Sequence, residues 1–140
     1  MNETMKTILE RRSIRKFTSQ PVPDEVLRDL AEAAMHAAME AAGLAPEDVA
    51  YVNLHGTGTQ ANDAMEMKAV SRIFKDLSGL RIESTKPMTG HCLGAAGAVE
   101  AAICWLYLSS GLVKGAALSN SFAFGGSNAC VALVPEGGEA

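Results

Sequence analysis

The fold is decided by residues 49–59, which read Val49-Ala-Tyr-Val-Asn-Leu-His-Gly-Thr-Gly-Thr59. The alternating pattern of residues 49–54 is typical of a short strand. The glycines that follow permit a sharp turn and a close approach of the backbone to a substrate. Residues 62–74 then carry apolar side chains at helical spacing, which predicts an amphipathic helix. The order of strand, turn and helix indicates an α/β protein.

The rest of the chain continues this alternation. Residues 81–85 are typical of a second strand, residues 94–110 of a helix, and residues 116–124 and 128–134 of two strands joined through Gly125-Gly126. Because the connections are short, these elements predict a mixed sheet flanked by helices. At 140 residues the chain has the size of one ordinary domain with its own core.

Two helices are predicted before the first strand. Residues 4–11 place apolar side chains on one face, and residues 24–43 do the same over a longer stretch after Pro21-Val-Pro23. Asp24 suits the N-cap of the longer helix and Gly43 suits its C-cap. We therefore expect the chain to open with a helical hairpin.

Composition and charge argue against several classes of function. The chain is 48% hydrophobic and 20% charged, as expected of a globular protein, and its net charge is −4. This negative charge disfavours binding to nucleic acid or to an anionic membrane. The start of the chain has no apolar export signal, and the longest apolar run, residues 93–108, is too short to span a bilayer comfortably. We therefore expect a soluble, cytoplasmic protein.

The three cysteines, Cys92, Cys104 and Cys130, have neither the even number of a disulfide framework nor the paired spacing of a zinc ribbon. We therefore predict no metal site. Cys92 comes nearest to a nucleophile, because it stands beside His91 and before a helix N-terminus that would lower a thiol pKa. The favoured interpretation of Cys92 is nevertheless a small buried thiol that serves packing.

The helix predicted over residues 94–110 is apolar almost all round, and Glu100 is its one charged residue. A helix of this kind lies between two layers of structure. Since a chain this short has difficulty supplying both layers, we predict a homo-oligomer or a complementing half of a larger assembly.

Two histidines stand in turns rich in glycine and threonine, each after a predicted strand. His55 opens the run His55-Gly-Thr-Gly-Thr59, and His91 ends the run Ser84-Thr-Lys-Pro-Met-Thr-Gly-His91. A neutral imidazole in such a turn can donate a hydrogen bond to negative charge that develops during a reaction. A single histidine after a strand is more often a structural residue, but two in such turns favour a site.

From about residue 38 to residue 134 the chain closely resembles the C-terminal half of the β-ketoacyl-acyl carrier protein synthases, condensing enzymes with the thiolase fold. The resemblance implies an α/β fold that is one half of a thiolase-like layered architecture, with the N-terminal helical hairpin added. The runs that carry it are Ala41-Ala-Gly-Leu44, residues 53–59 with Asn62, Asp63 and Glu66, residues 84–86 with Thr89-Gly-His91, Gly94-Ala-Ala-Gly97 with Glu100, and residues 119–126.

The function implied by this resemblance is a decarboxylative Claisen condensation in fatty acid or polyketide synthesis. In that family a cysteine takes an acyl chain from acyl carrier protein, and two histidines assist the decarboxylation of a malonyl thioester. His55 and His91 match those histidines, and Lys86 matches the lysine that orders the site. The remaining matches are Asp63 and Glu66 as supporting acids, Glu100 beneath the site, and Phe122 and Phe124 as the aromatic flap beside the acyl entrance.

Each of these residues also has a plainer interpretation. Lys86 taken alone would be a solvated lysine, and Glu100 would be the polar tip of a core helix. Asp63 and Glu66 would be acids that the dipole of a helix N-terminus favours. Phe122 and Phe124 would be ordinary alternating strand residues.

Two departures from the family pattern bear on activity. The segment around residues 113–115 is much shorter than in the family, and the N-terminal half with its nucleophilic cysteine is missing. Condensation depends on that covalent acceptor. We therefore predict an acyltransferase fragment that is incomplete, and inactive alone, with no cofactor of its own.

Residues 3–37 are similar to a different family, the flavin-dependent nitroreductases, through residues 8–17, 21–23 and 30–37. In that family the residues that match Arg11, Ser13 and Arg15 hold the phosphate of FMN. Two arginines beside a hydroxyl suit a phosphate, although a solvated charged loop is the plainer and favoured interpretation.

The two resemblances together predict a chimera of residues 1–37 and residues 38–140, joined inside one helix. Two alternatives to the acyltransferase function stay open. One is an FMN-binding, nitroreductase-like oxidoreductase. The other is a non-catalytic scaffold that associates through the helix over residues 94–110 and through its strand edges.

Overall fold

The computed structural model describes residues 23–123 and 127–135. It contains helices and strands in alternation, with two short 3₁₀ turns over Pro46–Asp48 and Leu93–Ala95. The elements are α1 Asp24–Ala42, β1 Val49–Asn53, α2 Gln60–Ile73, β2 Arg81–Glu83, α3 Lys86–Thr89, α4 Ala96–Ser109, β3 Ala116–Ala123 and β4 Ser127–Leu133.

The four strands form one mixed sheet in the order β2-β1-β3-β4. Strand β1 runs parallel to both β2 and β3, and Tyr51 is in register with Arg81 on one side and with Ala117 on the other. Strand β4 runs antiparallel to β3, and Ser119 is in register with Val131. The prediction of an α/β fold with a mixed sheet flanked by helices is confirmed.

Each face of the sheet carries its own hydrophobic core, as the two-residue period of a strand requires. Val52 of β1 and Leu118 of β3 point to the side where α1 and α2 pack, and there they meet Met35 and Val70. Tyr51 and Ala117 point to the opposite side and pack around Cys104 of α4. The described residues therefore form three layers, with the sheet in the middle.

Helix α4 is covered on one side only by the described residues. Glu100 and Cys104 are buried against the sheet, whereas Trp105 is 59% exposed and Leu106 53% exposed. We call the exposed face the α4 outer stripe; its members follow helical spacing and are Ala98, Ala102, Trp105, Leu106 and Ser109. An apolar stripe of this kind is typical of a surface that another layer covers.

Several predicted boundaries move by a few residues. The N-cap of α1 is Pro23 rather than Asp24, while Gly43 is the left-handed C-cap that the sequence predicted. The second strand ends at Glu83 instead of residue 85, because Lys86 already starts helix α3 with Pro87 in its first turn. The predicted helix over residues 94–110 starts at Ala96, since residues 93–95 form a 3₁₀ turn.

The short connection from α4 to β3 depends on a glycine. Gly115 has a φ of +140°, and a β-carbon at this position would lie 2.9 Å from the Ala50 side chain. Only a residue without a side chain lets the backbone pass β1 so closely. The backbone at Gly115 therefore passes close to β1 in this connection.

The predicted helix over residues 4–11 and the residues Arg11, Ser13, Arg15 and Phe124 lie outside the described residues.

Candidate functional site

The site forms where β1 and β2 end. These strands are parallel neighbours, so the segments that follow them emerge at the same edge of the sheet. His55 follows β1, while α3 and then His91 follow β2. The two imidazole rings meet edge to face with 5.5 Å between their centroids. His55 is buried and His91 is exposed, so the pair lies at the border between core and solvent.

Glu66 of α2 holds the turn that carries His55. Its carboxylate accepts hydrogen bonds from the backbone N–H of His55 at 2.8 Å and from that of Gly56 at 3.0 Å. The side-chain amide of Asn120 on β3 donates a third, at 3.1 Å. Glu66 is fully buried, and this burial raises the pKa of its carboxyl group, while the three donors and the nearby Lys86 act in the opposite direction.

Lys86 and Glu100 form a buried ion pair, and the charge of Lys86 acts on His55. The ammonium group of Lys86, on α3, donates to a carboxylate oxygen of Glu100, on α4. Both side chains are almost completely removed from solvent. The plainer interpretation of Lys86 as a solvated lysine is therefore wrong. The plainer interpretation of Glu100 as the polar tip of a core helix is incomplete, because Glu100 forms an ion pair with Lys86.

The surroundings of His55 keep its imidazole neutral. Burial lowers the pKa of His55 to about 4, and the positive charge of Lys86 and the proximity of His91 act in the same direction. The carboxylate of Asp63, near the start of α2, opposes this effect in part. At neutral pH the ring therefore carries one N–H donor and no charge.

Phe122 completes one wall of the site, with its ring centroid 5.4 Å from that of His55. The structure thus brings together seven of the residues that the sequence indicated. They are His55, His91, Lys86, Asp63, Glu66, Glu100 and Phe122.

The cysteines are differently placed. Burial raises the pKa of Cys104 to about 11 and that of Cys130 to about 12, so both remain thiols at neutral pH and are poor nucleophiles. Cys92 is exposed, so its interpretation as a buried packing thiol is wrong. In the described part of the chain, metal-ligating side chains do not gather in groups of three or more.

Two residues of the site received no role from the sequence. Asn120 donates to Glu66, and Ser84 donates to the carbonyl oxygen of Gly56 at 3.0 Å. Both stand inside the runs that carry the resemblance, which is the one signal that marked them. Their contacts join segments distant in sequence, and no local periodicity reports such contacts.

Comparison with known proteins gives the family. The profile of the beta-ketoacyl synthase C-terminal domain matches residues 18–117, which is most of the chain. The chain belongs to the β-ketoacyl synthase family. This match starts at residue 18, inside the segment that resembles nitroreductases, and the comparisons give no support to a nitroreductase-like N-terminus.

Curated relatives in the β-ketoacyl synthase family share two fifths to one half of the aligned residues. The chloroplastic 3-oxoacyl-[acyl-carrier-protein] synthase I of Arabidopsis thaliana is 39% identical over 121 residues, covering 68% of this chain and 26% of that protein. Nodulation protein E of Rhizobium sp. (strain N33) is 40% identical over 129 residues, covering 73% of this chain and 32% of that protein. The 3-oxoacyl-[acyl-carrier-protein] synthase 2 of Staphylococcus aureus is 51% identical over 69 residues, covering 49% of this chain and 17% of that protein.

The chain therefore spans about a third or less of the length of these relatives. The alignment with the Arabidopsis protein is 121 positions long but includes only 68% of this chain. The Arabidopsis protein therefore has additional residues within the aligned region that this chain lacks. The shortening around residues 113–115 remains a prediction.

Solved ketosynthase structures share the fold. The structure of the ketosynthase ApeO with its chain length factor ApeC from Xenorhabdus doucetiae matches with a TM-score of 0.69 and 37% identity, covering 76% of this chain and 33% of that chain. The ishigamide ketosynthase/chain length factor matches with a TM-score of 0.72 and 29% identity, covering 79% of this chain and 34% of that chain. The expectation of half a thiolase-like layered fold is confirmed.

Proposed function

We propose that this chain supplies the histidine half of a β-ketoacyl synthase site, in which a malonyl thioester is decarboxylated for a Claisen condensation. The observation that carries the proposal is that the ring centroids of His55 and His91 lie 5.5 Å apart, with His55 kept neutral by burial and by the charge of Lys86. Two adjacent N–H donors suit an oxygen atom that gains negative charge.

The chemistry follows from these donors. When the malonyl carboxylate leaves as CO₂, its bonding electrons move to the thioester and build an enolate. Hydrogen bonds from His55 and His91 to the thioester oxygen stabilise that charge, and one such donor is typically worth about 3 kcal/mol in rate. In the condensation the enolate carbon then attacks an acyl thioester, a carbon–carbon bond forms, and a thiolate leaves.

The acyl thioester has to come from outside the described residues. Cys104 is buried and Cys130 is half-buried, and burial raises the pKa of both thiols. Neither of them, nor the exposed Cys92, stands in the nucleophile motif of the family. We propose that a polypeptide carrying the nucleophilic cysteine covers the α4 outer stripe, where Trp105 and Leu106 are exposed. That partner is a complementing half. A second copy of the chain, if the protein forms a homo-oligomer, would cover the stripe without supplying the cysteine.

We propose acyl carrier protein as the donor of the thioesters, on the strength of the Arabidopsis and Staphylococcus aureus relatives, whose names include it. Within residues 23–123 and 127–135, no helix has both the length and the hydropathy needed to cross a membrane. A cytoplasmic location remains a prediction.

Condensation needs the nucleophilic cysteine, but decarboxylation of the malonyl group does not, so the full chain can be tested alone. The test is the slow conversion of a malonyl-pantetheine thioester to the acetyl thioester by the full chain, followed by mass spectrometry. We expect His55→Gln and His91→Gln each to lower this conversion about 100-fold, the usual effect of removing one such donor. His36→Gln is the matched control, because His36 is exposed on α1 and away from the site. Conversion unchanged in both site variants would refute the proposal.

The N-terminal segment has its own test. The chimera of residues 1–37 with residues 38–140 remains a prediction, and so does FMN binding through Arg11, Ser13 and Arg15. Titration of the full chain with FMN would change the flavin absorbance if a site exists. A flat titration would remove the oxidoreductase alternative.

A further inference from the structure

Ser84 stands between the two segments that carry the site. Its hydroxyl donates a hydrogen bond to the carbonyl oxygen of Gly56 at 3.0 Å and accepts one from the backbone N–H of Lys86 at 3.4 Å. The first bond reaches the turn of His55, and the second reaches α3, which leads to His91. One hydroxyl therefore connects both segments, as donor to one and acceptor from the other.

The turn of His55 is held from two opposite sides. Glu66 accepts from the N–H of Gly56, and Ser84 donates to the C=O of the same residue. The contact with Ser84 is close, because a β-carbon on Gly56 would lie 2.5 Å from the Ser84 β-carbon. Gly56 also has a φ of +39°, which favours glycine. Ser84 thus limits how far the turn can move along the edge of the sheet.

We infer that Ser84 is a positioning residue, which fixes the spacing between His55 and His91 by bonding the turn of one to the helix that precedes the other. This inference rests on the proposed function, in which both imidazoles donate to one oxygen. Ser84 acts through Gly56 and Lys86. Its influence on the reaction is therefore through the placement of the histidines.

The experiment measures the histidine ring signals of the full chain by NMR as the pH is varied, without substrate. In Ser84→Ala the turn loses its bond to the β2 side, and His55 gains access to water. We expect the pKa of His55 to rise from about 4 to above about 5, toward its ordinary value. The titratable groups around His55, namely Lys86, His91, Asp63 and Glu66, are unchanged in this variant.

Ser71→Ala is the matched control, because Ser71 is exposed on α2 and its hydroxyl bonds only within that helix, to the carbonyl of Lys68. We expect this control to titrate as the wild type does. Ser84→Cys is a second variant that nearly keeps the size of serine and has a weak donor. We expect it to shift the His55 titration in the direction of Ser84→Ala.

A His55 titration in Ser84→Ala and Ser84→Cys that coincides with the wild type would overturn the inference. Because the titration needs no substrate, it can succeed even if malonyl thioester conversion is never observed. As a second readout, Ser84→Ala should lower the rate constant of decarboxylation about 10-fold with an unchanged KM, whereas Ser71→Ala should change neither. Equal rates in the two variants would also contradict a positioning role.

Discussion

The carboxylate of Glu66 accepts a hydrogen bond from the backbone N–H of His55 at 2.8 Å, across 11 positions of sequence. A buried acid on α2 therefore sets the conformation of the turn after β1. Because Glu66 also accepts from Gly56 and Asn120, it connects the helix, the turn and strand β3. The position of the catalytic candidate His55 thus depends on a residue that need not touch a substrate.

Glu66→Gln should destabilise the protein by about 1–3 kcal/mol. All three partners of Glu66 are N–H hydrogen-bond donors. The NH₂ group of a glutamine is also a donor, so at least one of the three partners would lose its acceptor. Urea unfolding measures the loss. Glu40→Gln, at an exposed position on α1, is the control and should change stability by less than about 0.5 kcal/mol.

His55 should make the protein less stable as the pH falls from 6.5 toward 4. Its folded-state pKa of about 4 lies below the ordinary value of 6.5, so over this range the unfolded chain binds a proton that the folded chain does not. The stabilisation is present above pH 6.5, and up to about 3 kcal/mol is lost on acidification.

Glu66 acts in the opposite direction, because its raised pKa weakens the fold as the pH rises through its titration. The comparison of wild type with His55→Gln isolates the histidine, and the variant should lose less stability between pH 6.5 and pH 4. His36→Gln should unfold with the pH dependence of the wild type. Parallel curves for wild type and His55→Gln would show that His55 is not held neutral.

Gly56→Ala should destabilise the protein by about 1–3 kcal/mol. The new methyl group would meet the Ser84 side chain at 2.5 Å, at a φ of +39° that alanine rarely adopts. Gly79→Ala is the matched control, since a β-carbon there meets nothing within 4 Å. If thermal unfolding showed equal midpoints for the two variants, the close contact between Gly56 and Ser84 would be disproved.

The pair of Lys86 and Glu100 should behave as one unit. Lys86→Met leaves a buried carboxylate without its partner, and Glu100→Leu leaves a buried ammonium group, so each change alone should cost about 3–5 kcal/mol. The double variant should lose much less than the sum of the two. Additive losses in a double-mutant cycle would mean that the two groups do not interact.

Trp105→Lys should weaken association of the chain with a copy of itself or with a complementing half. The side chain is 59% exposed on the α4 outer stripe, so the change should alter the unfolding free energy by no more than about 0.5 kcal/mol. Sedimentation of wild type and variant measures the association. Val26→Lys, at an exposed apolar position on α1, is the control and should leave the association unaltered. If both variants associated equally well, the stripe would not be the interface.

Much of the fold could be predicted from the sequence because its signals are local. The alternation of residues 49–54 and the helical spacing of residues 62–74 both gave the right element, and Gly43 marked the right helix end. Boundaries were less accurate after β2, since only Ser84 and Thr85 separate the strand from helix α3, which Lys86 starts.

The site was predicted in part, for a different reason. The turns of His55 and His91 are recognisable motifs, and parallel strands bring them to one edge of the sheet. The burial of Lys86 and the exposure of Cys92 depend on which way each side chain points after folding, and no periodic pattern encodes that. The bonds of Ser84 and Asn120 are long-range for the same reason.

The most direct test of the central claim, that neutral His55 donates to the developing enolate, is the pH dependence of malonyl thioester decarboxylation between pH 4 and pH 8. We expect the rate of wild type divided by that of His55→Gln to be large and constant from pH 8 to about pH 5, and to change only as the pH approaches 4. A ratio near one at every pH, or one that rises as the pH falls through 6.5, would contradict the claim.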